Sequence, residues 1–221
     1  MRLAPPLAAL ALAAAGVGAT DLNFVPAGVE IVPASYRAAG CLDRPACQIG
    51  AAILSAEQAG EARFVEQDFA GVYGLGIAAT NTNADRDEEI QGPIADLGVP
   101  GERLTVTFAV PHVIDRIVIG HLYNPNMPGD PMETAIIEGF SGEESLGILR
   151  LQSVDDTAGA FTLEGNASVG AVRRLDVTAG QYVLFSPFGA AVDRVVLTGA
   201  EVVSGDTADF SLVALGARPA R

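Results

Sequence analysis

Residues Gly74 to Phe108 read GLGIAATNTNADRDEEIQGPIADLGVPGERLTVTF, and the two ends of this stretch decide the fold. Gly74-Leu75-Gly76-Ile77 leads into a loop dense in oxygen-bearing side chains: Asn81, Asn83, Asp85, Asp87, Glu88 and Glu89. The chain leaves that loop through Gly101-Glu102-Arg103 into Leu104-Thr105-Val106-Thr107-Phe108, which alternates apolar and polar as a half-buried strand does. The stretch therefore reads strand, long acidic loop, strand.

Working outward, short strands separated by turn signals recur on both sides. Before the stretch, Asp21 to Val32 reads as a first strand, and Arg63 to Ala70 and Val72 to Ala78 as two more around Gly71. Ala51 to Gln58, ended by Gly60, is expected to form a short helix. After the stretch come Val113 to Leu122, with Asp115 and Arg116 interrupting its apolar face, and a Pro- and Asn-rich turn from Asn124 to Pro131. Ala135 to Phe140 and Leu146 to Gln152 read as a hairpin across Ser141-Gly142-Glu143. Ala171 to Val177, Tyr182 to Phe185, Val192 to Leu197 and Phe210 to Ala214 complete the set. Strands at this spacing without a long helical pattern predict an all-β, jelly-roll-like antiparallel β-sandwich. At 221 residues, the chain is expected to form one such domain over 20–221.

Composition narrows the partners. Hydrophobic residues make up 49%, which excludes a disordered chain. The formal net charge is -14, and all 13 basic residues are unclustered arginines. Nucleic acid and anionic membrane surfaces would be repelled, so neither is an expected partner. Met1 to Ala19 has the form of a secretory signal peptide: Arg2, an apolar run from Leu3 to Ala15, and the small residues Val17-Gly18-Ala19 before the cleavage site. The expectation is an exported protein, secreted or periplasmic, with no membrane span after cleavage. In that oxidising setting Cys41 and Cys47, the only cysteines, are expected to form a disulfide contributing about 2–3 kcal/mol.

The central stretch resembles an ectodomain of bacterial exported proteins of the PEP-CTERM, exosortase-sorted kind. The counterparts are Gly74-Leu75-Gly76-Ile77, Asp87-Glu88-Glu89-Ile90 and Glu102 to Phe108, with Ala208-Asp209-Phe210-Ser211-Leu212 as the closing strand. Gln91 departs from the family pattern, which has Asp there. The chain also ends Leu215-Gly216-Ala217-Arg218-Pro219-Ala220-Arg221, without the sorting motif or a terminal apolar segment. The resemblance thus implies a soluble exported relative and carries no catalytic signature.

The acidic loop is the candidate for chemistry. Ca²⁺ takes roughly 6–8 oxygen ligands from carboxylates, Asn side chains and backbone carbonyls. Asn81, Asn83, Asp85 and Asp87 alternate, so a curved loop could aim them inward beside Glu89, and a divalent cation would relieve their mutual repulsion. Arg86 and Gly92 stand where an EF-hand needs its glycine and bidentate glutamate, so this is not that motif. The alternative is a solvated acidic loop. His112 and His121 mark the ends of one expected strand, about 30 Å apart if extended, and could not share a metal. Gly74-Leu75-Gly76 lacks a third glycine and a following helix, which points to a bulge or close backbone approach instead of a dinucleotide site. No zinc-protease, nucleophile-elbow or Walker-type motif is present. A glycosidase carboxylate pair cannot be singled out among so many acids, and the chain has no Trp to stack on sugars. The expected function is a secreted, non-enzymatic module that binds or belongs to an extracellular or envelope matrix, with a glycan or a surface polymer as its ligand. A carbohydrate-active hydrolase and a structural subunit without a small ligand are the alternatives.

Overall fold

The computed structural model describes residues 28–58, 61–79, 89–96, 98–123, 132–155, 160–176, 178–203 and 209–221. The expected signal peptide and the loop residues 80–88 lie outside these. Thirteen strands and one short helix occur among the described residues. In chain order they are β1 (Val29–Ile31), α1 (Pro33–Ala38), β2 (Ala46–Ile49), β3 (Ala52–Glu57), β4 (Ala62–Phe69), β5 (Val72–Ala79), β6 (Arg103–Gly120), β7 (Thr134–Ser141), β8 (Glu144–Asp155), β9 (Ala160–Gly165), β10 (Ala171–Asp176), β11 (Gln181–Phe185), β12 (Val192–Gly199) and β13 (Ser211–Pro219). The fold is an all-β, jelly-roll-like antiparallel sandwich, as the strand spacing predicts.

Strand β6 builds both layers. Its first half, Arg103 to Phe108, pairs with β3 on one edge and β12 on the other. Its second half, from His112 onward, pairs with β13 and β11. One layer therefore runs β2-β3-β6-β12-β7-β8-β9, and the other runs β4-β5-β13-β6-β11-β10. Leu104, Val106 and Phe108 face the core in the first half, as do Ile114, Ile117 and Ile119 in the second. The inward parity changes at Asp115-Arg116, where the β13 register slips between Gly216 and Ala217. An extra residue in one strand of a pair flips the faces beyond it. That slip is why two charges can interrupt an apolar strand. Both charges find partners outside, Asp115 with Arg218 at 2.9 Å and Arg116 with Glu30.

The expected helix at Ala51 to Gln58 is instead β3. Ala52, Leu54 and Ala56 are buried while Ile53 and Glu57 are exposed, a period of two that fits the edge of β6. Pairing on both edges overrides the helix propensity of Ala, Leu and Glu. The two strands expected at 104–108 and 113–122 are one bent strand, turned near Ala109-Val110-Pro111. The expected first strand contributes only Val29–Ile31 among the described residues, paired to β13. Helix α1 and strands β2 and β9 were not expected.

A single large core fills the space between the layers, from Ile31 and Tyr36 to Phe188 and Leu215. Cys41 and Cys47 form the expected disulfide, with Cα atoms 5.1 Å apart. Among the described residues, no helix is long and apolar enough to cross a membrane.

Candidate functional site

Strands β5, β6 and β13 converge where β13 begins, and the local sequence makes that convergence possible. Ser211 pairs with Gly120, and Leu212 with both Ile119 and Leu75. A Cβ at Gly74 would lie 2.0 Å from Ser211 Oγ, so only glycine lets β5 approach here. That is the close backbone approach expected of the Gly74-Leu75-Gly76 run. Ser211 Oγ sits 2.8 Å from Nδ1 of His121, and both side chains are buried. His121 adopts φ 61°, a left-handed conformation rare for a residue with a side chain. Burial pushes its imidazole below the usual range, opposed by a backbone hydrogen bond with Val72 and the charge of Asp68. The ring is therefore neutral near pH 7.

Glu89 approaches the same ring nitrogen at 3.5 Å. A serine–histidine–acid triad needs the nucleophile and the acid on opposite ring nitrogens. Here Ser211 and Glu89 both address Nδ1, and Ser211 is fully buried. The trio lacks nucleophile geometry and reads as a packed polar junction.

Beside it lies a carboxylate under strong electrostatic stress. Glu133 accepts a hydrogen bond from the backbone N–H of Tyr123. Its carboxyl is pushed up to about 10, first by burial and then by the charge of Asp209, with Glu89 and a hydrogen bond to Asp209 adding to the shift. Two carboxyls can share a hydrogen bond only through a shared proton, so the pair binds a proton tightly in the absence of another cation. Tyr123 also donates from its hydroxyl to the Thr178 carbonyl at 3.1 Å, and Phe69 lies edge-on to both Tyr123 and His121.

Of the five expected metal ligands, Asn81, Asn83, Asp85 and Asp87 lie outside the described residues. Glu89 is described and stands at the acidic junction, within the electrostatic reach of Glu133. Among the described residues, no group of three or more His, Cys, Asp or Glu side chains is arranged to hold a metal ion. His112 belongs to the core: it is fully buried, stacks on Phe108 at 4.6 Å, and has Nδ1 2.7 Å from the Val110 carbonyl. Asp209, Ser211 and Tyr123 were missed as site residues. The only signal in the sequence was the position of Asp209 and Ser211 in the closing-strand segment. Compared with known proteins, the chain matches no family model and no curated protein sequence.

Proposed function

We propose that this chain is an exported bacterial β-sandwich that acts by binding, holds a calcium ion at its acidic loop end, and engages an extracellular glycan or envelope polymer without catalysis. The observation that carries the cation half is Glu133. A carboxyl raised to about 10 by burial and by neighbouring acids is one whose ionised form lacks a counter-charge among the described residues. Glu89, Glu133 and Asp209 each border a stretch of the acidic or turn-rich sequence, and Asn81, Asn83, Asp85 and Asp87 would supply the remaining oxygens. The Cys41–Cys47 disulfide and the signal-like first nineteen residues support export.

Titration of the metal-free protein with Ca²⁺ tests this reading. At a hundredfold excess over Kd the melting temperature should rise by about 5–10 °C. Asp85→Ala/Asp87→Ala and Glu133→Gln should each blunt the rise. A melting temperature that stays flat into the millimolar range contradicts the cation half. A glycan array run beside hydrolase assays addresses the other half. Binding without turnover supports the proposal, turnover replaces it with a hydrolase, and silence in both leaves a structural subunit.

A further inference from the structure

The outer face of β7, β8 and β9 carries a cavity of about 400 Å³ whose chemistry differs from the acidic loop end. Its floor is a cross-strand lattice of polar side chains. Thr134, Gln152 and Thr162 lie side by side in register, as do Arg150 and Glu164 one step along. Gln152 Nε2 donates to Thr134 Oγ1 at 3.0 Å, and that hydroxyl donates to the Met132 carbonyl at 3.1 Å. The relay fixes the amide so that Oε1 of Gln152 remains an acceptor. Arg150 is exposed and stands directly opposite Glu164, yet forms no ion pair among the described residues. A facing Arg and Glu that stay apart offer a fork of donors and a carboxylate acceptor across one small cavity. Glu201 adds a second acceptor on the wall, while Met132 and Val203, 45% and 70% exposed, give it an apolar lip.

We infer that this cavity is a sugar-binding subsite for a neutral, hydroxyl-rich pyranose unit, held by Arg150, Gln152 and Glu164. The inference rests on the glycan-binding reading above and gives it a place. Each element of the lining argues for that class. Ring hydroxyls both donate and accept, which suits paired Arg, Gln, Glu and Thr side chains. Two acids against one arginine disfavour an anionic ligand, and Arg150 disfavours a cation. The polar floor disfavours a flat apolar ligand. Methyl-bearing Met132 and Val203 suit the C–H face of a sugar. The volume lies near the lower end of small-molecule sites, about 300–1,000 Å³, and fits one or two sugar rings. The cavity begins at Met132 and Thr134, which flank Glu133, so the two sites share one short segment of backbone.

The test is a two-dimensional amide NMR titration of the mature protein with methyl gluco-, galacto- and mannopyranosides, beside a glycan array. Wild type, Arg150→Ala and Gln152→Ala are compared; both positions lie on the outer face, and unchanged amide spectra away from the cavity establish that each variant folds. The expected result is saturable shifts at residues 134, 150–152, 162–164 and 201–203, with affinity about tenfold weaker in either variant, as loss of one hydrogen bond predicts. Array binding that both variants retain, or shifts confined to another surface, overturns this location and leaves the glycan reading standing. Absence of both pyranoside shifts and array binding in wild type overturns the two together.

Discussion

Glu66 and Glu133 are both partly covered carboxylates on strands or their margins, yet the fold treats them in opposite ways. Glu66 on β4 receives the Arg37 guanidinium through two hydrogen bonds of 2.7 Å and the Tyr36 hydroxyl at 2.7 Å. The Arg37 hydrogen bond holds its carboxyl below the usual range, with Tyr36 helping and burial opposing. Arg37 in turn lies over the Tyr73 ring at 4.6 Å. Among the described residues, Glu133 accepts one backbone N–H and otherwise faces the acids Asp209 and Glu89, and its carboxyl rises. A carboxylate with its counter-charge built in ties α1 to the sheet. One without it among the described residues takes up a proton or a cation instead.

The largest effect should come from breaking the satisfied site. Glu66→Ala leaves the fully buried Tyr36 hydroxyl without its partner and should cost about 2–3 kcal/mol in chemical denaturation. A loss under about 0.5 kcal/mol would mean that the knot is decorative. The opposite sign is expected at the other carboxylate. Glu133→Gln, assayed near pH 8 in a chelator, replaces a carboxyl that must take up a proton on folding and should stabilise by about 1 kcal/mol. Destabilisation there would mean that Glu133 already has a protein partner for its charge. The smallest effect belongs to Arg37→Ala, because the Arg37 side chain is 44% exposed. It should shift the denaturation midpoint less than either carboxylate substitution does.

The two sites also respond to pH in opposite windows. Glu66 is depressed below its unfolded value near 4.5, so its stabilisation is present above that value and lost as pH falls through the folded value. Glu133 is raised from 4.5 to about 10. Its protonated form stabilises the fold below pH 4.5, and that contribution is lost as pH rises towards about 10. Acid should therefore weaken the α1–β4 knot, and base should weaken the loop end.

The sequence made the strands with strong turns legible. Expected hairpins around Gly71 and Ser141-Gly142-Glu143 match β4–β5 and β7–β8, where Gly71 and Gly142 adopt φ of 78° and 60°. Such turns are local, and glycine marks them directly. β3 was hidden because Ala-Ile-Leu-Ser-Ala-Glu suits a helix by propensity, and only pairing to β6 makes it a strand. The unity of β6 was hidden because Pro111 reads as a break, although it falls at a bend where the strand passes from one layer to the other. Residues distant in sequence were hardest to see. His121 and Ser211 meet only through the β6–β13 register, and Glu133 meets Asp209 only once the ends of β6, β7 and β13 are placed. Glu89 and Glu133 were visible because they end the acidic run and the neighbouring turn, although Tyr123, Asp209 and Ser211 beside them were not.

The most direct test of the central claim, that the acidic loop end is a cation seat, is the melting temperature followed from about pH 5 to about pH 9 in chelator and in excess Ca²⁺. In chelator, stability should fall with rising pH by at most about 1.4 kcal/mol per pH unit, the limit for uptake of one proton by the folded state. Calcium should flatten or reverse that fall, and Glu133→Gln should flatten it without calcium. Parallel pH profiles in chelator and calcium would contradict the account, leaving the loop-end acids as a proton-sharing cluster alone.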